Sequence, residues 1–258
     1  MTVQFDVTVG RVRLDPTTFE SLVDLGSAAN GVSDGMLADL TAAGVLVDGR
    51  PHEVLAPGLA AVTRPLAQLE TVVASRQGLL VHQAWMSVLS AVLADVGDGT
   101  YDFAGVATEF VPTTIARLVR LRPRPRLAPG SASVTSDLLD GLVDPDDGRR
   151  VRAAHDLASA LAPHWDEAAE LVRAGAWCFW SADVSWAPPG RAVRSDDDLV
   201  SRRVSVLDTT AGMLALEGST GAPGHDRLSL TPTTPTDVWY LLSSILPSDA
   251  DLGIDTEG

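Results

Sequence analysis

The feature that most restricts the fold is an internal repeat with an offset of 120 residues. Residues 14–24 (LDPTTFESLVD) align with residues 134–144 (VTSDLLDGLVD). A second pair of segments, 111–114 (VPTT) and 231–234 (TPTT), has the same offset, and each is predicted to open a helix. Two separate matches at one offset indicate a duplicated structural unit, so the fold must accommodate two copies of one arrangement.

The two predicted halves, about 1–126 and 133–247, show the same order of secondary-structure signals. Helical segments come first, four β-rich segments follow, and a helix with a proline in its first turn closes each half. A meander of four strands has an apolar face that helices must cover. We therefore predict an α+β fold in which a pseudo-twofold duplicated unit forms a central antiparallel β-sheet flanked by helical bundles.

Local signals place the individual elements. Caps, glycines and prolines bound the predicted helices, which lie at 34–43, 51–62, 136–143, 149–161 and 164–174. Alternating or β-branched runs predict strands at 69–75, 79–86, 88–96, 100–106, 176–186, 200–207, 212–217 and 227–230, with one further strand within 3–14. Residues 208–211 are predicted as a turn, and the proline-rich segment 122–130 as an extended connection between the halves.

Charge excludes several classes of function. The 258 residues carry 19 basic and 34 acidic side chains, a net charge of −15, and every basic residue is arginine. Without lysine there is no P-loop lysine and no Schiff-base chemistry. An acidic chain of this kind is not expected to bind nucleic acid, which requires a positive surface. Residues 1–126 contain ten arginines and 13 acidic residues, whereas residues 127–258 contain nine arginines and 21 acidic residues. The second half therefore carries a net charge of −12, which is most of the acidic excess of the chain.

Neither a secretory leader nor a membrane span is evident. The amino-terminal residues lack a basic start followed by an apolar stretch, and no window approaches 18 uninterrupted apolar residues. We expect a cytoplasmic protein with no membrane insertion. Five arginines between positions 117 and 126 form a basic stripe at the junction of the halves. This stripe is interpreted as complementing a helix carboxyl end, with an acidic docking patch as the alternative.

No catalytic, cofactor or metal site is predicted. His164 and Glu167 have the spacing of two metal ligands on a helix, but no second pair accompanies them. Residues 144–148 (DPDDG) suggest a calcium loop, yet the twelfth position is His155 instead of a glutamate. The sequence contains neither a Gly-x-Ser-x-Gly elbow nor a dinucleotide fingerprint after a strand. The single cysteine, Cys178, is interpreted as a small buried side chain.

Several segments together resemble the EspG family, the substrate-specific cytosolic chaperones of actinobacterial type VII (ESX) secretion. Residues 204–212 (VSVLDTTAG) resemble that family's strand–Asp-Thr-x-x-Gly–strand signature, and 228–232 (LSLTP) fits the segment after it. In the first half, residues 43–49 (AGVLVDG), the strand at 69–75 with its turn at 76–78, and 110–112 (FVP) follow the family order. The resemblance implies a single domain over 1–258, and we expect residues 248–258 to form a disordered acidic tail.

The resemblance also implies a non-catalytic protein that needs no cofactor. Family members hold the hydrophobic tip of a helical cargo, such as a PE–PPE pair, in the cytoplasm before export. This chain has Met213-Leu214 where the family often has arginine and an aromatic residue, so another helical cargo is left open. Partner contacts are predicted, by position in the strands and the first hairpin, for Arg76, Gln77, Trp85, Trp180 and Trp186. The alternative is an acidic immunity or inhibitor protein that neutralises a basic toxin.

Overall fold

The computed structural model describes residues 3–27, 32–190, 193–217 and 227–253. Its strands are β1 (Gln4–Asp6), β2 (Arg11–Leu14), β3 (Leu46–Val47), β4 (Arg50–Pro51), β5 (Ala67–Ser75), β6 (Gly78–Met86), β7 (Ser90–Asp95), β8 (Tyr101–Val106), β9 (Ala132–Thr135), β10 (Trp177–Trp186), β11 (Val200–Thr209), β12 (Gly212–Glu217) and β13 (Arg227–Thr233). All of these except the small β3–β4 hairpin form one antiparallel sheet. A large antiparallel sheet is therefore confirmed.

Helices lie before and after the two meanders of strands. They are α1 (Pro16–Gly26), α2 (Asp34–Ala42), α3 (Ala56–Thr63), α4 (Val111–Leu118), α5 (Ser136–Leu142), α6 (Asp147–Leu161), α7 (Asp166–Arg173), α8 (Pro235–Ile245) and α9 (Asp249–Leu252), with short 3₁₀ turns at Thr108–Phe110 and Asp196–Asp198. The mixture of helices with an antiparallel sheet confirms the α+β class. None of the described helices is both long and apolar enough to cross a bilayer.

The order of strands in the large sheet is nearly the same in both directions. It runs β1-β2-β8-β7-β6-β5-β10-β11-β12-β13-β9. The pair β5–β10 lies at the centre, and from there the outward order is β6, β7, β8, β2 on one side and β11, β12, β13, β9 on the other. In each series the first three strands follow one another in chain order, and the fourth, β2 or β9, is the strand that precedes a helix, α1 or α5. Strand β1 is the one addition, at the outer side of β2.

The sheet has two faces with different coverings. On one face, which we call the covered face, α4 and α8 contact each other across the central strands. Trp180, Val184 and Trp186 of β10 point to this face and share a core with Ile115 of α4 and Leu242 of α8. On the opposite face, which we call the open face, α1–α3 pack on the first-half strands and α5–α7 on the second-half strands. Polar residues line the central strands between these two groups.

Capping side chains fix where helices begin. Asp15 accepts a hydrogen bond from the Thr18 backbone N–H (3.0 Å) at the start of α1, and Thr135 accepts one from Leu138 (3.3 Å) at the start of α5. Each cap satisfies a backbone N–H that the first helical turn leaves without a partner. The two caps are 120 positions apart in the sequence, the offset of the repeat. The first repeated segment therefore begins its helix at equivalent positions in both halves.

The connection between the halves is held firmly to the sheet. Arg124 donates two hydrogen bonds to the Asp208 carboxylate, at 2.7 and 2.9 Å, and the Asp208 side chain is only 6% exposed. Farther along, the Trp165 indole N–H donates to the Ala128 carbonyl at 2.8 Å. Of the basic stripe, Arg117 lies in the last turn of α4, where a cation complements the helix dipole.

Gly212, the last residue of the Asp-Thr-x-x-Gly segment, lies where this connection crosses the sheet. Its φ is +153°, and a Cβ added there would come 2.5 Å from Leu127 Cγ. Both the backbone conformation and the close approach of the connection favour glycine at this position.

Several sequence predictions of boundaries are corrected. Pro51 lies in β4 instead of opening a helix, and α3 begins only at Ala56. Pro232 lies in β13, so the second repeated segment does not begin α8, which starts at Pro235 with Thr234 as its cap. The predicted turn at 208–211 is shorter, because β11 continues through Thr209. The amino-terminal segment forms two strands, not one.

The predicted disordered tail is also corrected for its first part. Ser248 caps α9, and Asp251 of that helix lies 3.6 Å from Arg202. Hydrogen bonds from Ser248 lower the pKa of the Asp251 carboxyl, and Arg202 acts in the same direction. Residues 248–253 are therefore part of the folded structure, whereas 254–258 lie outside the described residues.

Candidate functional site

The central strip of the open face is a groove between the two groups of helices. Its floor follows from the register of β6, β5, β10 and β11, whose opposed residues form successive rows across the sheet. The rows are Trp85, Gln68, Ser185, Ser201, then Gln83, Glu70, Asp183, Arg203, then Val81, Val72, Ser181, Ser205. Two adjoining clefts, of about 310 and 420 Å³, share Glu70, Asp183 and Arg203. We call the two clefts together the open groove.

One end of the open groove has an apolar wall. Leu139 of α5 and Val143, which ends that helix, face Leu216 of β12 and Leu228 of β13 around the 310 Å³ cleft. Leu139 is buried, whereas the other three side chains remain half-buried. Their partial exposure leaves apolar surface next to a polar floor, which is the arrangement typical of protein-binding patches.

The other end of the groove is bounded by an aromatic side chain. Trp85 of β6 lines the 420 Å³ cleft and is half-buried. Its ring stacks against Phe19 of α1, with centroids 5.9 Å apart and an interplanar angle of 29°. This stack fixes the orientation of the indole, so one edge of Trp85 is held at the border of the groove.

Charges on the floor of the groove are unevenly compensated. Glu70 and Asp183 are directly opposite each other in the β5–β10 register, so two carboxylates share one face at neighbouring positions. Arg203 forms an ion pair with Asp183. No described residue forms an ion pair with Glu70. Like charges directly opposite in a sheet are unfavourable, so the groove presents an uncompensated negative charge.

The sequence produces this floor through alternation in the two central strands. In β5 the polar residues Gln68 and Glu70 alternate with the buried apolar residues Ala67 and Leu69. In β10 the polar residues Ser181, Asp183 and Ser185 alternate with buried apolar ones. Successive side chains of a strand point to opposite faces. Polar residues at every second position therefore signalled an uncovered face in the sequence, and our sequence reasoning missed this signal.

Two of the predicted contact residues belong to the core. Trp180 has no exposed surface and Trp186 is 3% exposed, and both point to the covered face. The Arg202 guanidinium lies over the Trp186 ring, 4.8 Å from its centroid. The prediction that these two tryptophans share a face is confirmed, but their assignment to a partner surface is corrected, because the helices of the covered face enclose them.

The other predicted contact residues lie at the surface. Trp85 borders the open groove, as described above. Arg76 and Gln77 form the turn between β5 and β6, and both are exposed. Arg76 lies 3.0 Å from Asp147 of α6, so it contacts the second half of the chain. Their contact with a partner stays a prediction.

The single thiol is a poor nucleophile. Burial raises the pKa of Cys178 to about 12, and the nearby Asp208 carboxylate acts in the same direction. Cys178 and Asp208 are opposed residues in the β10–β11 register, which explains that proximity. Because the thiolate is the reactive form, this cysteine is protonated and unreactive near neutral pH.

The weak metal motifs have structural roles. Asp146 caps α6 by accepting a hydrogen bond from the Arg149 backbone N–H at 2.8 Å. Asp144 forms an ion pair with the Arg149 side chain, at an N–O distance of 2.7 Å. Among the described residues, no cluster of three or more His, Cys, Asp or Glu side chains is arranged to hold a metal ion.

Comparison with known proteins does not identify a family for this chain. No protein-family model matches the sequence, and a search of curated proteins finds no significant match.

Proposed function

We propose that this protein is an EspG-like cytoplasmic chaperone that binds the hydrophobic tip of a helical type VII secretion cargo and keeps it soluble for export. The observation that carries this proposal is the open groove, in which an apolar wall lies next to a polar floor between two groups of helices. A protein that holds another protein needs such a surface and no reactive group. The order of motifs along the chain agrees with that family.

The proposal includes a duplicated origin for the fold, with a helical bundle for each half. Outward from the β5–β10 pair, each side has three strands in chain order and then the strand that precedes a helix, β2 before α1 and β9 before α5. The caps Asp15 and Thr135 keep the offset of 120 residues. In this view, the groove is the surface where the two copies meet, and neither copy's helices cover its floor.

The dimensions of the groove suit a helical tip. Its floor spans four neighbouring strands, which at about 4.8 Å between strands makes roughly 14 Å. A helix with its side chains is about 10–12 Å in diameter. An amphipathic helix end can therefore lie in the groove with apolar residues against Leu216 and Leu228, and with its polar termini over the Ser, Gln and carboxylate groups of the floor.

The test is co-purification of the chain with helical cargo encoded near its gene. Replacing Leu216 with arginine adds a charge to the apolar wall, and we expect at least a tenfold loss of captured cargo. The matched control is Leu241→Arg on α8, a position 39% exposed and remote from the groove, which should capture cargo like the wild type.

Both variants must first show wild-type melting. If Leu216→Arg fails this criterion, Val143→Arg at the half-buried end of α5 replaces it. Equal capture by a folded wall variant and the wild type would contradict the assignment of the groove as the cargo surface.

A second candidate is an immunity or inhibitor protein for a basic toxin, favoured by the carboxylates of the groove. Glu70 and Asp183 lie on its floor and Asp140 lines the 310 Å³ cleft. Binding that depends on these charges should weaken steeply as salt rises from about 0.05 to 0.5 M, because salt screens exposed charges. Binding to the apolar wall should change little over the same range, so one salt titration of the captured complex separates the two functions.

A further inference from the structure

A small cleft lies where the turn between β5 and β6 meets the second half of the chain. It has a volume of about 30 Å³ and lies between the start of α6 and the end of α7, away from the open groove. Its charged and polar lining consists of Arg76, Asp147, Arg150, His155, Arg173 and the indole of Trp177. Three of these six residues are arginines, although the chain as a whole has a net charge of −15.

The cations of this cleft outnumber their carboxylate partners. Asp147 is shared by two guanidinium groups, because its Oδ1 lies 3.0 Å from Arg76 and 3.2 Å from Arg150. The Arg173 side chain forms an ion pair with Glu170, a residue that does not line the cleft. Arg150 is the important member, since its side chain is only 8% exposed. A buried cation normally needs full pairing.

Two buried N–H groups of the lining residues have no acceptor. Arg150 uses its terminal nitrogens for the carbonyls of Asp144 and Pro145 and for Asp147, but its Nε has no hydrogen-bond partner among the described residues. The same is true of the Trp177 Nε1, whose residue is 5% exposed. Each such buried donor without an acceptor costs about 1–3 kcal/mol. Such donors can be satisfied by an acceptor from outside the chain, and the excess of positive charge at this cleft favours an anionic one.

We infer that this cleft binds a carboxylate group. Its volume equals about two water molecules by the measure in which one water needs roughly 10–15 Å³, which suits the two oxygens of a carboxylate better than a phosphate. The planar fork of a guanidinium also matches a carboxylate geometrically. The carboxylate comes either from a small organic acid or from an acidic side chain of a bound protein. This inference does not depend on the chaperone proposal.

Melting temperature in increasing sodium acetate, at ionic strength held constant with sodium fluoride, tests the inference. The wild type should show a saturable rise, because a ligand that binds only the folded state stabilises it. Trp177→Phe removes one donor and keeps the ring, and Arg76→Gln removes an exposed cation. Each should weaken the apparent acetate affinity about tenfold. Arg152→Gln, an exposed change elsewhere on α6, is the control and should retain it.

A pair of peptides distinguishes the two sources of the carboxylate. A Gly-Glu-Gly-Glu peptide amide that competes with acetate, while its Gln counterpart does not, assigns the cleft to an acidic protein segment. Saturable binding of acetate with which neither peptide competes assigns the cleft to a small acid. An equal rise in melting temperature for the wild type, Trp177→Phe and Arg76→Gln would overturn the inference. A high-resolution crystal structure grown in acetate with water on both N–H groups would overturn it as well.

Discussion

The two faces of the central sheet use the same strands for opposite purposes. On the covered face, β10 contributes Trp180, Val184 and Trp186 to a core closed by α4 and α8. On the open face, the intervening residues Ser181 and Asp183 of the same strand lie in a groove. Alternation within one strand therefore supplies stability on one side and recognition on the other. Substitutions one residue apart in β10 should therefore have separable effects on stability and on binding.

The largest expected difference between the faces concerns two tryptophans. Trp180→Ala should lower the free energy of unfolding by about 3–5 kcal/mol, because it empties a fully enclosed space in the core. Trp85→Ala on the open face should cost less than half of that, since the indole is already half-buried and solvent can fill the site. Urea denaturation of both variants measures the difference. Equal losses would mean that the open face is as closely packed as the covered one.

The next comparison uses two aspartate–arginine pairs that belong to different faces. Asp208→Asn removes the charged partner of Arg124 at a site where the aspartate is 6% exposed. We expect the free energy of unfolding to fall by about 2–4 kcal/mol. Asp183→Asn removes the partner of Arg203, whose side chain is 53% exposed, and we expect less than about 1 kcal/mol. Denaturant titrations of the two isosteric variants give the result. A larger loss for Asp183→Asn would reverse the assignment of the faces.

Two glycines that begin strands, Gly212 and Gly78, differ in what surrounds them, because the connection between the halves crosses the sheet at Gly212. Gly212 and Gly78 begin β12 and β6 with nearly the same φ, +153° and +151°. A Cβ added at Gly212 would come 2.5 Å from Leu127 Cγ and 3.0 Å from the Pro125 carbonyl oxygen, whereas one added at Gly78 would meet nothing within 4 Å. Gly212→Ala should therefore cost about 1–3 kcal/mol more than Gly78→Ala, because overpacking adds to the shared backbone strain. Thermal unfolding compares them, and Leu127→Ala should recover part of the difference. No recovery would assign the difference to the Pro125 carbonyl oxygen, which the added Cβ would also approach.

The smallest predicted effect has the opposite sign. Glu70→Gln removes one of two opposed carboxylates on the open face, so the variant should be more stable by a few tenths of a kcal/mol. The gain should disappear in 1 M salt, where the Debye length is about 3 Å. Melting temperatures at low and high salt measure it. A loss of stability at low salt would mean that Glu70 has a favourable partner in the folded protein.

Much of the fold was predictable because local chemistry specifies it. The strands at 69–75 and 79–86 and the turn between them follow from alternation and glycine, and the structure confirms them. The prediction failed at Pro51, where a proline that often opens a helix instead lies in the β3–β4 hairpin. Proline fits both positions, and only tertiary packing selects between them.

The candidate site was predicted less well, because burial depends on the partner of each strand. Trp180 and Trp186 of β10 were correctly assigned to one face. Which face α4 and α8 cover, however, is decided by the β5–β10 pairing and by the positions of those helices. Those contacts join residues about 110 positions apart in sequence. The polar residues Gln68 and Glu70 at alternate positions were visible in the sequence, but which face they line is known only once the neighbouring strand is known.

The nine register pairs between β5 and β10 have a consequence for how this chain can be divided. Since these pairs join the two halves by backbone hydrogen bonds, and the α4–α8 contact adds apolar burial, covalent continuity near position 123 is not what keeps the halves together. If the chain is divided at that point, the two fragments, expressed separately, should assemble into one complex. Such complementation would give a genetic reporter whose signal depends on intact pairing between β5 and β10.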